Sequence, residues 1–152
     1  MEKNITFVIG GCRSGKSAWA LEQANKIGRD EKYFIATSVP RDAEMQDRVV
    51  SHQKERGKTW NTIEEPVLIN KTIERVHQKA DVILVDCLTL WVSNMMLESD
   101  EAGTVDNAVN ELIEALEKST CPVFLVSNEV GLGIVPENRL ARRVRDLAGF
   151  VN

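Results

Sequence analysis

Ile5-Thr6-Phe7-Val8-Ile9-Gly10-Gly11-Cys12-Arg13-Ser14-Gly15-Lys16-Ser17 is the stretch that decides how the chain is read. Its second half fits the pattern of Gly, any four residues, then Gly-Lys-Ser, a phosphate-binding loop. Gly10 and Gly15 let the backbone curl until successive N–H groups point at one cluster of phosphate oxygens. Gly11, Cys12, Arg13 and Ser14 span the curl. Lys16 brings positive charge to the outer phosphates, and the Ser17 hydroxyl suits the Mg²⁺ that travels with a nucleotide. The flanks agree with the motif. Ile5 to Ile9 is a β-branched and aromatic run that reads as a buried strand, and Ser17 to Ile27 reads as a helix closed by Gly28. A strand, a loop and a helix in that order aim a helix N-terminus at an anion.

The 152 residues are read as one domain, residues 1–152, with 43% hydrophobic and 28% charged residues. A net charge of -4 argues against non-specific nucleic-acid binding. Cys12, Cys87 and Cys121 are three, far apart, with no CxxC pair, which implies reduced thiols and a cytoplasmic chain. The chain starts directly in a strand, so no signal peptide is expected, and no apolar run approaches the length of a membrane span.

Strand and helix patterns alternate throughout, which implies an α/β fold with a mostly parallel sheet covered by helices. Lys32 to Ala36 is a second strand, followed by Thr37 and Ser38. Ligands of such sheets sit at the carboxyl ends of strands, so these hydroxyls meet either a ligand or a neighbouring helix end. Asp42 to Arg56 reads as a helix with Asp42 as its cap. Glu44 and Arg48 are spaced to pair, and Met45, Val49 and His52 share one face. Thr59 to Ile63 suggests a short strand. Val67 to Lys79 suggests a helix buried through Ile69, Ile73 and Val76, with His77 on its surface.

Asp81 to Asp86 is a hydrophobic strand that ends in a carboxylate. In a phosphate-loop protein Asp86 is the expected second acidic group, set beside Ser17 to hold Mg²⁺. Leu88 to Leu97 reads as a buried helix carrying Trp91, and Glu98 to Gly103 as an acidic loop. Thr104 to Lys118 shows an amphipathic stripe of Val105, Ala108, Val109, Leu112, Ile113 and Leu116. Pro122 to Ser127 is a further strand. The glycine-containing loop Asn128 to Asn138 follows it. Pro136 suits the first turn of a last helix bearing Arg139, Arg142, Arg143 and Arg145, which either grip phosphates or a neighbouring subunit, or form a solvated basic face.

A phosphate loop alone is shared by kinases, switch GTPases, motors and binding modules. A switch GTPase reads guanine with Asn-Lys-x-Asp after a strand. The corresponding place here is Asn128-Glu129-Val130-Gly131, which lacks the lysine and the aspartate. A small-molecule phosphotransferase is the class left best supported. His52 adds a second clue, since a neutral imidazole is a competent nucleophile toward phosphorus and Lys54 and Arg56 stand close to offset phosphate charge. Spacing alone favours an ordinary helix histidine over a nucleophile.

Five segments together resemble one family. They are GGCRSGKS at 10–17, YFIATS at 33–38, EMQDRVVSHQKER at 44–56 with Trp60 beyond it, VDCLTLWVSN at 85–94, and VSNEVGLGIVPENRLARRVRDLAGFVN at 126–152. The sequence is similar to the bifunctional adenosylcobinamide kinase/adenosylcobinamide-phosphate guanylyltransferases of cobalamin biosynthesis. The resemblance implies a P-loop NTPase-type domain of RecA-like topology and two reactions. In the first, a nucleoside triphosphate, GTP or ATP, phosphorylates adenosylcobinamide. In the second, GMP passes from GTP to that phosphate through a guanylyl-histidine, and the matching position is His52. The resemblance further implies catalysis by His52 and Lys16, and nucleotide contacts from Gly10 to Ser17, Thr37, Ser38, Gln53, Lys54, Glu55, Arg56, Glu64 and Asp86. Ser17 and Asp86 would serve Mg²⁺, and the partner state would be a homotrimer. The family often has glutamate at the place of Asp86 and histidine at the place of Ser51. Family chains also continue for another helix and a terminal strand beyond the match, which would pair with a sheet edge left open here.

Overall fold

A computed structural model describes residues 4–99, 101–131, 133 and 135–152. Asp100 of the acidic loop and Leu132 and Ile134 of the loop after Asn128 lie outside the described residues. The chain runs β1 (Ile5–Gly10), α1 (Lys16–Ile27), β2 (Lys32–Ala36), α2 (Ala43–Arg56), β3 (Trp60–Glu64), α3 (Ile69–Val76), β4 (Val82–Asp86), α4 (Leu88–Glu98), α5 (Thr104–Lys118), β5 (Val123–Asn128) and α6 (Arg139–Val151). The five strands form one sheet in the order β1-β5-β4-β2-β3, and every pairing is parallel.

The parallel order follows from the alternation of strands and helices, because each strand must cross back over the sheet before the next begins. It also explains the unbroken apolar runs of β2, β4 and β5, whose two faces are both covered. On one face Ala20 and Ala24 of α1 pack with Val8, Phe34, Leu84, Phe124 and Val126. On the other, Ile69 and Ile73 of α3, Trp91 and Val92 of α4, and Leu112 and Ala115 of α5 pack against Ile35, Ile83, Val85, Val123 and Leu125. β1 is an edge, and its Ile5, Phe7 and Ile9 are exposed on the side away from α1.

Several expectations change in detail. His77 is buried, not on the surface: its Nδ1 accepts from the Thr120 N–H, and its carbonyl accepts from the Thr120 hydroxyl at 2.9 Å. Ile113 is 48% exposed and stands off the α5 stripe. Pro136 is not in the first turn of α6. Asn138 caps that helix by accepting from the Ala141 N–H at 3.1 Å, so Pro136 precedes the cap. Arg142 turns back to donate to the carbonyls of Pro136 and Glu137, and Arg145 pairs with Asp146 at 2.8 Å.

Candidate active site

The phosphate loop bridges β1 and α1. Gly15, at φ 83°, caps α1, and Arg13 is also left-handed at φ 55°. A side chain on Gly10 would put its first carbon 2.7 Å from the Ser14 hydroxyl oxygen, so the Ser14 side chain would have to turn away. Lys16 folds over this curl, its Nζ donating to the Gly11 carbonyl at 3.0 Å. The loop also continues the sheet, because the Glu129 N–H donates to the Gly10 carbonyl at 2.8 Å.

Parallel pairing of β1, β5, β4 and β2 brings their carboxyl ends to one edge. A cavity of about 450 Å³ opens there. Its floor carries Lys16, Ser17, Asp86, Cys87 and Asn128, and its opposite wall is α2. The α2 residues that face it are Met45, Arg48, Val49, His52, Gln53, Glu55 and Arg56. The face read from the spacing of Met45, Val49 and His52 is therefore the face turned to the cavity. The Asp42 cap accepts from the Met45 N–H at 2.8 Å, and Glu44 pairs with Arg48 at 2.6 Å.

Asp86 is the most deeply placed charged group in this cavity. Burial raises its pKa, opposed by a hydrogen bond from Ser17 and by the charges of Lys16, His52 and Arg56. A half-buried carboxylate beside a serine hydroxyl is a pair of hard oxygen donors, which fits Mg²⁺. Among the described residues no group of three or more His, Cys, Asp or Glu could hold a metal by itself. Mg²⁺ suits such a sparse protein set, because it keeps most of its ligands from water and substrate phosphates. Beside Asp86, burial pushes the Cys87 thiol up to about 11, so that group stays protonated at neutral pH.

The predicted site residues divide into three groups. Lys16, Ser17, Ser38, His52, Gln53, Glu55, Arg56, Glu64 and Asp86 meet at the cavity. Gly10, Gly11, Cys12, Arg13, Ser14 and Gly15 form the loop at its mouth, while Lys54 is exposed and is not among the cavity residues. Thr37 differs from its neighbour Ser38. It is fully buried, its hydroxyl donates to the Cys87 carbonyl at 2.7 Å, and it accepts from the Cys87 N–H at 2.8 Å. Its own N–H donates to the Asp86 carbonyl at 3.1 Å. The Thr37 side chain thus clamps the ends of β2 and β4 together, leaving Ser38 to face the cavity. None of Arg139, Arg142, Arg143 and Arg145 lines it.

Other residues of the site gave no local signal. Leu21, Phe34, Ala36 and Leu90 supply its apolar surface. Asn94 holds its rim from below, donating to the carbonyls of Thr37 at 2.7 Å and Pro66 at 3.0 Å. Thr89 accepts from the Asn128 N–H at 2.9 Å. The segment VDCLTLWVSN, quoted above for its resemblance, is in this sense the brace of the site.

The family described as cobinamide kinase / cobinamide phosphate guanyltransferase matches residues 6–152. The chain belongs to that family. The bifunctional adenosylcobalamin biosynthesis protein CobP of Pseudomonas aeruginosa is 39% identical over 146 residues, covering 96% of this chain and 83% of that protein. The bifunctional adenosylcobalamin biosynthesis proteins CobU of Escherichia coli and Salmonella typhimurium are each 38% identical, covering 97% of this chain and 87% of theirs. Among solved structures, a KaiC-like protein of Pyrococcus horikoshii superposes with a TM-score of 0.54 at 12% identity, covering 97% of this chain and 68% of that one. The RadB recombinase does so at 0.52 and 14% identity, covering 95% and 71%. These two likenesses show the fold of this family member to be that of RecA-like P-loop proteins. No helix among the described residues is long and apolar enough to cross a membrane.

Proposed function

We propose that the protein is a bifunctional transferase of cobalamin biosynthesis. It phosphorylates adenosylcobinamide with GTP or ATP, then moves GMP from GTP to adenosylcobinamide phosphate and releases pyrophosphate. The observation that carries this reading is that His52 faces the same cavity as Lys16, Ser17 and Asp86. A nucleotide held by the loop would have its phosphates between the two walls. A simple kinase has no need of an imidazole on the facing helix.

The chain's own residues have distinct tasks. Loop N–H groups and Lys16 bind the phosphates, and Ser17 with Asp86 would hold Mg²⁺, which when bound offsets charge on the phosphate oxygens. His52 Nδ1 stands 3.4 Å from Glu55 Oε2. With the proton on Nδ1, the nitrogen that faces this carboxylate, the Nε2 lone pair is free for phosphorus. Nε2 forms a bond to the α-phosphorus as the bond to the bridging oxygen of the leaving pyrophosphate breaks. An oxygen of adenosylcobinamide phosphate then attacks the same phosphorus, and the N–P bond electrons return to Nε2. The same reading makes the working form a cytoplasmic homotrimer.

Incubation with α-labelled GTP and Mg²⁺ tests it. The wild type takes up an acid-labile, alkali-stable label. His52→Asn takes up none and loses guanylyl transfer by about 10⁴-fold or more, while phosphoryl transfer persists. Undiminished label on His52→Asn would sink the nucleophile assignment. Phosphoryl transfer with no wild-type adduct would mark a monofunctional kinase. Tight GTP binding without any product would mark a nucleotide-binding protein.

A further inference from the structure

Helix α2 carries His52, yet none of its residues is buried. A helix without a buried face has little apolar area to hold it in place. What fixes it over the phosphate loop must come from particular contacts, and the strongest is at its last residue. The Arg56 guanidinium carbon lies 3.7 Å from the centre of the Phe34 ring, a close cation–π stack. Its Nη2 approaches the Thr62 hydroxyl at 3.5 Å, and its Nε is buried without a hydrogen-bond partner. The ring face is thus its close packing partner, while Asp86 and Glu55 act on its charge.

That ring is held in turn. Phe34 sits in β2, 7% exposed, and meets Trp60 of β3 edge to face, with centroids 6.2 Å apart and planes at 85°. The Trp60 indole N–H donates to Asn25 Oδ1 at 3.0 Å, and Lys32 Nζ lies 5.5 Å from its ring centre. Asn25 of α1 also accepts from Lys32 Nζ at 3.0 Å. The sequence Asn25, Trp60, Phe34, Arg56 thus runs without a gap from the helix that follows the phosphate loop to the helix that carries the histidine.

We infer that Phe34 and Arg56 are a positioning pair that sets α2, and through it His52, at its working distance from the phosphate loop. Neither acts on phosphorus in this role. The ring offers the cation a fixed flat seat, and Trp60 keeps the ring from turning. Loss of the seat frees α2 without removing any group from the loop floor. The consequence is a slower transfer to His52 at unchanged occupancy of the loop, because the cost of misplacing a reacting group falls on the rate. This role rests on the proposed part of His52 in guanylyl transfer, and the experiment below separates the two.

The variants are Phe34→Leu, which removes the π face and keeps an apolar side chain, Phe34→Tyr, which keeps the face, and Arg56→Gln, which removes the charge. Two quantities are measured on the full chain: the single-turnover rate of label transfer from α-labelled GTP against nucleotide Kd, and hydrogen exchange at α2 amides without nucleotide. Phe34→Leu and Arg56→Gln should each slow labelling about tenfold, and Phe34→Tyr should restore it. In Phe34→Leu the labelling rate at saturating nucleotide should fall by more than the Kd rises. Exchange should quicken at α2 in the two damaging variants and stay slow at β4. Labelling that falls only in step with Kd, or α2 exchange unchanged in both variants, overturns the inference. Absence of label on the wild type overturns the role of His52 instead, and α2 exchange then still decides whether the pair anchors the helix.

Discussion

One aspartate precedes β4 and another ends it, and the two are electrostatic opposites. At its amino end, Asp81 Oδ2 accepts the backbone N–H groups of Arg29, Asp30 and Glu31 at 3.0, 2.9 and 3.1 Å. Those bonds hold its pKa below the ordinary carboxylate value. At the carboxyl end Asp86 is half-buried, and desolvation raises its pKa despite Ser17, Lys16, His52 and Arg56 around it. One carboxylate is stabilised by the fold; the other is a cost that the fold carries. A carboxylate whose charge its surroundings disfavour, set in a cleft, is a candidate for contact with a ligand. The contrast teaches which end of the sheet serves structure and which serves chemistry.

The largest expected effect lies at Asp86. Asp86→Asn should lower both transfer rates by about 10²-fold or more, through lost Mg²⁺ and phosphate positioning. It should also raise the melting temperature of the nucleotide-free protein. The sign follows from the raised pKa. A carboxyl that holds its proton more tightly in the folded chain than in the unfolded one contributes stability below the unfolded pKa, and that contribution is lost as pH rises through the folded value. The variant's advantage should therefore be absent in acid and present at neutral pH, which thermal unfolding across pH measures. A variant less stable than wild type at neutral pH breaks the comparison.

Thr37 sharpens it, because it lies at the chemical end and yet serves structure. Thr37→Val keeps the side-chain shape and deletes both bonds to Cys87, leaving the Cys87 N–H without that partner. The expected loss is about 1–3 kcal/mol of unfolding free energy, read from the midpoint of a urea transition. Nucleotide affinity should change far less than stability. A large loss of affinity with stability intact would assign the hydroxyl to the nucleotide.

The difference between Thr37 and Lys16 is also the difference between what could and could not be read in the sequence. Lys16, Ser17 and Gly15 act through neighbours along the chain, so their spacing carries the message. The β-branched runs of β2, β4 and β5 and the α3 stripe are local patterns of the same kind, and they yield the α/β fold. Thr37 meets Cys87, Asn94 meets Pro66 and Arg56 meets Phe34 only after the sheet has formed. No window of sequence displays those pairs. The burial of His77 is hidden from sequence for the same reason, since its partner is Thr120. The basic neighbours of His52 made it a candidate and the family resemblance gave it a role, while only folding turns it toward the cavity that Asp86 also lines.

The smallest expected effect lies at Asp81, at the structural end. Asp81→Asn keeps an oxygen for the turn at Arg29 to Glu31 but removes the charge that makes its three hydrogen bonds strong. Transfer rates should match wild type, because the turn is at the opposite end of β4 from Asp86. Stability should fall, and with the opposite pH signature. A carboxylate whose folded pKa is depressed stabilises above its unfolded pKa, and the contribution is lost as pH falls through the folded value. The difference between wild type and Asp81→Asn should be full at neutral pH and close on acidification, whereas for Asp86→Asn the difference has the reverse sign and opens as pH rises. Two Asp→Asn exchanges, one just before β4 and one at its last residue, would then move the stability curve in opposite directions, with activity lost in only one. If Asp81→Asn slows either transfer while its unfolding is unchanged, the amino end of the sheet takes part in the chemistry, and the division between the two ends fails.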